Sequence, residues 1–436
     1  MDWYANIPLS SLPCANICTI KLHMNLPQEF TQYTANLFGP QRWARFVQAF
    51  AQEAAVSVRL NPWKALKNPF SQDEPVPWCQ GGFWLNERPA FTRDPLFHAG
   101  VYYVQEAGSL FLDHVLRHWV KGAVSALDLC AAPGGKSTLM RAALPEGSVL
   151  VSNEIDRRRA NILLENILKQ GHPDALVTHN APKDFAKTDL IFDVILADVP
   201  CSGEGLFRRD EGAIKEWSPQ NVHFCVERQR QILRDIWPCL KDGGLLIYST
   251  CTFNTHENEE NVRWLATELG AEILSVPVQP EWQITGSLLD GWEQPVYRFI
   301  PGTTRSEGLF MAVLRKTGEN RAFATLPASL RTQVKKYPLL HLLSDGQPKP
   351  EMKGREQIPS IAQALSLATK ETDFPRADLP LDAALRYLHR EALVLPAGAP
   401  RGFVLVTYQG HPLGFVKNLG DRANNLYPKP WAIHSL

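Results

Sequence analysis

Short apolar runs alternate with segments of helical periodicity between residues 123 and 316, and this is the most regular pattern in the chain. The apolar runs have the composition of buried strands. Such an order is typical of a doubly wound α/β fold, in which helices cover a parallel sheet. Ligands of these folds bind at the carboxyl edge of the strands, so we expect the functional residues there. The predicted strands cover residues 126–129, 148–152, 176–178, 193–196 and 245–248.

The segments on either side of this sheet have patterns of their own. Helical patterns at residues 27–38 and 41–53 precede an alternating strand pattern at residues 56–60. After the sheet, a proline-containing connector leads to a helical pattern at residues 378–393 and to short strands beyond residue 401. We therefore expect an α/β core with a small α+β N-terminal module and a mostly β C-terminal module. The predicted divisions are an extension (1–23), an N-terminal module that binds RNA or simply packs on its neighbour (24–98), the core (99–316), a connector (317–377) and the C-terminal module (378–436).

The first 23 residues differ from the rest of the chain. They lack the basic start of a signal peptide, and their apolar character is interrupted. A more regular segment begins at Met24. We expect residues 1–23 to be a disordered, dispensable extension.

Composition narrows the class of protein without identifying a partner. Lys and Arg together number 45, as do Asp and Glu, so affinity for nucleic acid would require locally concentrated basic residues. The eight cysteines have no framework or Cys-x-x-Cys spacing, which indicates reduced thiols in the cytoplasm and no zinc site. His114 and His118 have no glutamate between them, and we interpret them as a helix surface. No apolar run approaches the roughly 18 residues of a membrane span.

The sequence CAAPGGKS, residues 130–137, follows the first predicted strand and opens a helix. Gly134 and Gly135 permit a tight turn and the close approach of a ligand. Neither the dinucleotide fingerprint nor the phosphate-loop motif is present, so a cofactor without phosphate fits better. Glu154 follows the second strand, where a carboxylate can accept hydrogen bonds from both ribose hydroxyls. The combination favours S-adenosylmethionine.

Two further strand ends carry a carboxylate and two thiols. Asp198 and Cys201 lie in ADVPCSGEGLFRR, and Cys251 lies in STCTF after the next predicted strand. A single cysteine at a strand end is commonly part of the core, but two beside a cofactor site indicate chemistry. We expect the two thiols to be neighbours. Residues 254–260, which follow, indicate a capped, acid-rich helix start.

Methylation at C5 of a pyrimidine requires such a set of groups. A thiolate that adds to C6 makes C5 nucleophilic, and a carboxyl group stabilises the charge that develops. A base must then remove the C5 proton so that the thiol can leave. Cys251, Cys201 and Asp198 meet these requirements, whereas methylation of an amino group does not call for Cys251. Because the thiolate attacks, we expect an electropositive setting near Cys251.

These motifs resemble the RNA cytosine-5 methyltransferases of the Nop/Sun class, and within it the bacterial RsmF type, which acts on 16S ribosomal RNA. The likeness extends from Met24 over nearly the whole chain and includes YYVQEAGSLF and SEGLFMAVLRK. It implies a Rossmann-like class I methyltransferase core, with Cys251 as nucleophile, Cys201 assisting product release and Asp198 contacting the cytosine. The cofactor-binding residues that it implies are Cys130, Ala131, Ala132, Pro133, Gly134, Gly135, Lys136, Glu154, Asn180 and Asp198.

Three regions leave alternatives open. Ala181 stands where the family often has Asp, and we expect Asn180 or a backbone amide to replace it. Residues 205–217 have the pattern of a loop that closes over the site, in which Arg208 and Arg209 could equally hold phosphate oxygens or be surface charge. The C-terminal residues 401–436 could form a small barrel with an ordinary surface, but GFVKNLGDRANNLYPKPW resembles a PUA-like module, which favours RNA binding.

The sequence therefore predicts a monomeric cytoplasmic enzyme that uses S-adenosylmethionine to make 5-methylcytosine in structured RNA. Small-subunit ribosomal RNA or the subunit is the expected substrate, and tRNA is the alternative. A non-catalytic ribosome-assembly factor is a rival from another class. This rival is disfavoured by four intact residues that a binding protein does not need, namely Cys251, Cys201, Asp198 and Glu154.

Overall fold

The computed structural model describes residues 26–65, 67–318 and 324–434. The extension expected at residues 1–23 lies outside the described residues. The described chain forms two compact units, each built from several segments. The first unit contains the residues through 55, residues 106–109 and residues 185–324, and the second contains residues 56–105, 110–184 and those from 325 onward. In the described ranges, no helix is both long and apolar enough to cross a membrane.

The strands of the first unit include two that the apolar runs predicted. Phe192–Asp198 and Leu240–Thr250 are parallel, and Leu309–Lys316 is antiparallel to the second of them. Most residues of these strands are buried, which explains why they appear in the sequence as continuous apolar runs. The remaining strands of this unit are Ala271–Leu274 and Tyr297–Phe299, and its helices are Gln28–Phe50, Glu211–Glu216, Pro219–Ile236 and Glu259–Glu268.

The N-terminal helix Gln28–Phe50 is interrupted at Gly39, whose φ of 70° is non-helical. Pro40 follows directly and lacks the N–H that an uninterrupted helix would use. The prediction of two successive helical segments is therefore confirmed. Both segments bury aromatic side chains in one cluster, which comprises Phe30, Phe38, Trp43, Phe46, Val47, Phe50, Phe207, Trp217, Val222, Phe253 and Ile300.

The second unit contains the first three of the five predicted strands, and these three are parallel to one another. Their register pairs Asp128 with Ser152 and Asn153 with Thr178. The strands of this sheet within the unit are Ser125–Asp128, Val149–Asn153, Ala175–Thr178 and the antiparallel Leu342–Ser344. The helices around them are Phe111–Trp119, Gly135–Ala143, Arg157–Gln170, Pro182–Phe185 and Pro327–Lys336.

Two small sheets of the second unit share one hydrophobic cluster. Val58 and Tyr102 of the first sheet are buried in it with Tyr387, Val404 and Tyr427 from the C-terminal part of the chain. The first sheet is antiparallel and comprises Glu74–Pro75, Gly82–Leu85, Val56–Leu60 and Tyr102–Val104. The second comprises Arg376–Asp378, Gly402–Tyr408, His411–Asn418 and Ala423–Asn425, and the remaining short elements are Pro95–His98, Glu351–Lys353, Glu356–Ile358, Ile361–Leu365 and Leu381–Leu388.

Replacing Phe46 with Ala should lower the free energy of unfolding by about 3–5 kcal/mol, since the ring is fully buried and leaves a cavity. Its ring centroid lies 4.3 Å from that of Phe50 and 5.2 Å from that of Phe253. Urea denaturation followed by tryptophan fluorescence measures the change. Phe224→Ala is the matched control, because that side chain is 61% exposed and should cost less than about 0.5 kcal/mol. Equal costs for the two variants would contradict the assignment of Phe46 to the core.

Candidate active site

The two cysteines lie side by side at the carboxyl ends of two parallel strands. Asp198 pairs with Ser249 in the register of those strands, so the turns that follow begin at the same level. The Sγ atoms of Cys201 and Cys251 are 3.2 Å apart, and the Cys251 amide donates a hydrogen bond to Cys201 Sγ over 3.3 Å. Both are free, half-buried thiols. The expectation that the two thiols are neighbours is confirmed.

The environment of Cys201 favours its protonated form. The hydrogen bond with Cys251 raises the pKa of the Cys201 thiol well above its usual range, and burial and the negative charge of Glu257 act in the same direction. Cys201 is therefore suited to hold a proton rather than to attack as a thiolate. The electropositive setting expected near Cys251 stays a prediction.

Asp198 is held in one orientation by its neighbouring strand. Ser249 Oγ donates to Asp198 Oδ1 over 2.6 Å, and the Asp198 side chain is half-buried at the end of its strand. A carboxyl group fixed in this way can hydrogen-bond to a ligand placed beside the two thiols.

Gly205 brings the two cysteine-containing turns together. Its amide donates to the Cys251 carbonyl over 2.8 Å. A Cβ at position 205 would lie 2.9 Å from that oxygen and 3.0 Å from the Gly308 carbonyl, so only glycine permits the approach.

Two buried carboxylates bind the same turns. Glu204 accepts hydrogen bonds from the amides of Phe253 and Asn254 and from Trp217 Nε1, over 2.7–3.0 Å. Glu257 accepts hydrogen bonds from Ser202 and Asn254. Burial is the largest cause, and the charge of Glu204 the second, of a rise in the pKa of Glu257 to about 7. The sequence pattern did not single out either glutamate. Residues 255–258 form a turn, and the helix begins at Glu259.

Residues 205–217 are a packed segment rather than a free loop that closes over the site. Phe207 and Trp217 are buried in the aromatic cluster, and residues between them form the short helix Glu211–Glu216. Arg208 donates from Nε and Nη2 to Glu307 and from Nη1 to the Ala49 carbonyl. Its donors are used inside the protein, so a phosphate-holding role for Arg208 is not supported. Arg209 is more exposed and lies 3.6 Å from Glu307.

In the second unit, the CAAPGGKS segment forms a tight loop before the helix Gly135–Ala143. Gly134 has a φ of 114°, and a Cβ there would lie 3.2 Å from the Asn166 Cβ, so the loop requires glycine. Asn166 Nδ2 donates to the Pro133 carbonyl over 2.8 Å, and Ser137 Oγ donates to Asp128 over 2.6 Å. These bonds give the loop one fixed conformation.

Glu154 presents a buried oxygen atom beside this loop. Its Oε1 accepts from the Asp156 amide over 2.9 Å, whereas Oε2 is buried, accepts no hydrogen bond in the described structure and lies 3.4 Å from Arg159 Nη1. Arg159 also donates to the Ala132 carbonyl over 2.9 Å. An unsatisfied carboxylate oxygen fits a ligand with hydroxyl donors, such as the ribose of S-adenosylmethionine. Arg159 was not predictable, because nothing in the sequence distinguishes it from the neighbouring Arg157 and Arg158.

Asn180 is already engaged with its own unit. Its Nδ2 donates to the Leu339 carbonyl over 2.8 Å, and its Oδ1 accepts from the His341 amide over 3.0 Å. A contact from this side chain to adenine would break those bonds. Its assignment as a cofactor residue stays a prediction that this geometry does not favour.

The parallel strands within each unit, the glycine loop and the paired cysteine turns are those of a methyltransferase of Rossmann-like fold. Family models match three parts of the chain: 16S rRNA methyltransferase RsmB/F at residues 120–315, the N-terminal domain of 16S rRNA methyltransferase RsmF at residues 26–107, and the methyltransferase RsmF PUA domain at residues 374–433.

Full-length relatives agree with these matches. The ribosomal RNA small subunit methyltransferase F of Pectobacterium atrosepticum is 30% identical, over 88% of this chain and 91% of its own length. That of Klebsiella pneumoniae is also 30% identical, over the same shares of the two chains. The chain belongs to the ribosomal RNA small subunit methyltransferase F family, which confirms the resemblance and the expected fold class.

Solved structures support the fold. A methyltransferase homolog from Pyrococcus horikoshii is 26% identical with a TM-score of 0.58, covering 68% of this chain and 97% of that one. NSun6 from the same organism, determined with SFG, is 18% identical with a TM-score of 0.56, covering 67% of this chain and 99% of that one.

Arg208→Ala should destabilise the first unit by about 3–5 kcal/mol, because it removes both hydrogen bonds of the buried Arg208 guanidinium to the Glu307 carboxylate and leaves only the more distant Arg209. RNA binding should keep the same dependence on salt concentration, because no phosphate contact is lost. Denaturant unfolding and a salt titration of RNA affinity measure the two quantities. Arg209→Ala is the control and should cost less than about 1 kcal/mol, since Arg209 is 39% exposed. If the RNA affinity of Arg208→Ala depended less on salt concentration than that of the wild-type protein, Arg208 would be a phosphate contact after all.

Proposed function

We propose that this protein transfers a methyl group from S-adenosylmethionine to C5 of a cytosine in small-subunit ribosomal RNA. The observation that carries the proposal is the pair of thiols 3.2 Å apart, next to the strand that ends in Asp198. Methylation at C5 needs a nucleophilic thiol, a carboxyl group and a second proton-handling group, and no simpler methylation needs all three. The names of the full-length relatives favour ribosomal RNA over tRNA as the substrate.

Residues of the second unit would hold the cofactor. The loop Cys130–Lys136 provides a close backbone approach, and Glu154 Oε2 is the acceptor for a ribose hydroxyl. S-adenosylmethionine supplies an electrophilic methyl group when it is bound. Arg159 would pair with Glu154 and would tie it to the loop through Ala132.

Residues of the first unit would carry the chemistry on the cytosine. The Cys251 thiolate attacks C6, a bond forms between Sγ and C6, and the ring electrons make C5 nucleophilic. Asp198, oriented by Ser249, contacts the ring nitrogen and the amino edge and stabilises the developing charge. After C5 has accepted the methyl group and lost its proton, the bond between Sγ and C6 breaks and Cys251 leaves as a thiolate. Once Cys251 is bonded to C6, the hydrogen bond that raises the pKa of Cys201 is lost, so Cys201 can release its own proton to solvent and accept the proton from C5.

The alternatives make different demands on the site. A non-catalytic assembly factor would need neither the paired thiols nor the unsatisfied oxygen of Glu154. Action on tRNA would keep every step above, and only the RNA would differ.

We further propose that the C-terminal module binds structured RNA. We also propose that the enzyme acts as a monomer in the cytoplasm and that its domains have the predicted divisions. The match to the RsmF PUA domain supports the RNA-binding part of this proposal.

Cys251→Ala should abolish methylation, whereas Cys201→Ala should accumulate a covalent complex between protein and RNA because release is blocked. Incorporation of labelled methyl groups into 16S ribosomal RNA measures the first effect, and a denaturing gel measures the second. Cys225→Ala is the matched control, a buried cysteine that should leave both readouts unchanged. Methylation by Cys251→Ala would reassign the nucleophile. Bisulfite sequencing of ribosomal and transfer RNA, with and without the gene, would identify the substrate.

Glu154→Gln should weaken binding of S-adenosylmethionine by about 10- to 100-fold, the loss expected for one hydrogen bond to a charged acceptor. Isothermal titration calorimetry with S-adenosylmethionine measures the affinity. Glu165→Gln is the control, because that carboxylate pairs with Lys169 on the helix Arg157–Gln170 and lies outside the proposed site. Unchanged affinity in Glu154→Gln would remove this residue from the cofactor site.

A further inference from the structure

Glu257 is completely buried, and both of its carboxylate oxygens are saturated with donors. Oε1 accepts from Ser202 Oγ over 2.5 Å and from Asn254 Nδ2 over 2.8 Å. Oε2 accepts from the Ser202 amide over 3.0 Å and from Gln229 Nε2 over 2.7 Å. Two hydrogen bonds on each oxygen are the full capacity of an ionised carboxylate.

Three of these four donors belong to the turns that follow the two cysteines, and the fourth, on Gln229, belongs to the helix Pro219–Ile236. Ser202 is the residue after Cys201, and Asn254 lies three residues after Cys251. Gln229 also donates to the carbonyl of Pro200, so Cys201 is fixed on both sides. One carboxylate therefore joins the backbone around Cys201 to the turn that carries Cys251.

We propose that Glu257 is a positioning residue that sets the distance between Cys201 and Cys251. The inference rests on the proposed function, in which the two thiols act in succession on one cytosine ring. The described structure contains no hydrogen bond from Glu257 to either thiol, so its effect is transmitted through the turns. A displacement of about 1 Å in reacting groups can cost on the order of 100-fold in rate.

The site requires a carboxylate rather than an amide of the same shape. A glutamine at position 257 would turn an NH₂ group toward N–H donors, and at least one of the four bonds would be replaced by a repulsive contact. Burial and the neighbouring Glu204 raise the pKa of Glu257 to about 7, while the bonds from Ser202 and Asn254 oppose that shift. These hydrogen bonds therefore stabilise the ionised form of the buried Glu257 side chain in place of water.

The first test measures the thiol pair without any RNA. Diamide oxidises two adjacent thiols to a disulfide, and it takes up the two protons and two electrons to become a hydrazine. In the wild-type protein, Cys201 and Cys251 should form this disulfide rapidly, as mass spectrometry of proteolytic peptides will show. Glu257→Gln should slow its formation about 10-fold or more, and Glu257→Asp, which keeps the charge, should recover part of the rate. Glu260→Gln is the matched control, because that carboxylate of the same segment pairs with His256.

The second test uses 16S ribosomal RNA and labelled S-adenosylmethionine. Glu257→Gln should methylate about 10- to 100-fold more slowly. It should also retain a larger fraction of its protein as a covalent RNA adduct, because a displaced Cys201 delays release. A merely structural loss would lower adduct and product in the same proportion as folded protein, which thermal melting measures.

The outcomes separate the two proposals. Wild-type rates of disulfide formation and of methylation in folded Glu257→Gln would overturn the positioning role and leave the proposed function intact. A wild-type protein that neither methylates RNA nor forms an adduct would overturn the proposed function, and the diamide measurement would still decide whether Glu257 sets the distance between the thiols. Slower disulfide formation in folded Glu257→Gln, with the Glu260→Gln control unchanged, would support the role.

Discussion

The burial of Glu204 and Glu257, neither of which forms an ion pair with any residue that the structure describes, is the constraint on which the candidate active site depends. An ionised carboxylate is costly to bury unless hydrogen-bond donors replace the water that it loses. Here most donors lie in the turns after the cysteines, on Ser202, Phe253 and Asn254. The side chains of Trp217 and Gln229 supply the others. Any displacement of those turns would leave a charge unsatisfied, so the carboxylates define one conformation for both turns. Asn254 binds both glutamates through one amide group and couples them.

The aromatic cluster of the first unit supports the same turns from the apolar side. Phe253, two residues after Cys251, packs edge-to-face against Phe38 and Phe46 of the N-terminal helix. Phe207, in the segment after Cys201, packs against Phe30. The N-terminal helix is thus part of the scaffold of the cysteine turns, and its first role in this structure is packing. The buried pair of Arg298 and Glu259 adds to this support, because Arg298 also donates to the Phe253 carbonyl over 2.6 Å.

Features that depend on local sequence were predictable. The parallel strands, the glycine loop and the adjacency of Cys201 and Cys251 follow from apolar runs and from the geometry of a parallel sheet, in which strand ends share an edge. Features that depend on pairs distant in sequence were not. Glu257 binds Ser202, 55 residues away, and Arg208 binds Glu307, 99 residues away. Burial of a charged side chain leaves no periodic signal, so residues 254–260 predict only a capped, acid-rich helix start, and the sequence does not decide between the two roles of Arg208.

Because the two thiols are so close together, electrostatic repulsion bears on how many protons the pair retains. Two thiolates 3.2 Å apart would repel each other strongly, so the pair is expected to lose one proton well before the second. The raised pKa of Cys201 assigns the remaining proton to that residue. The Cys251 amide, which donates to Cys201 Sγ, keeps this protonated thiol beside Cys251. Neither sequence position nor motif spacing distinguishes the two cysteines in this way, whereas the direction of their hydrogen bonds and the placement of Glu257 do.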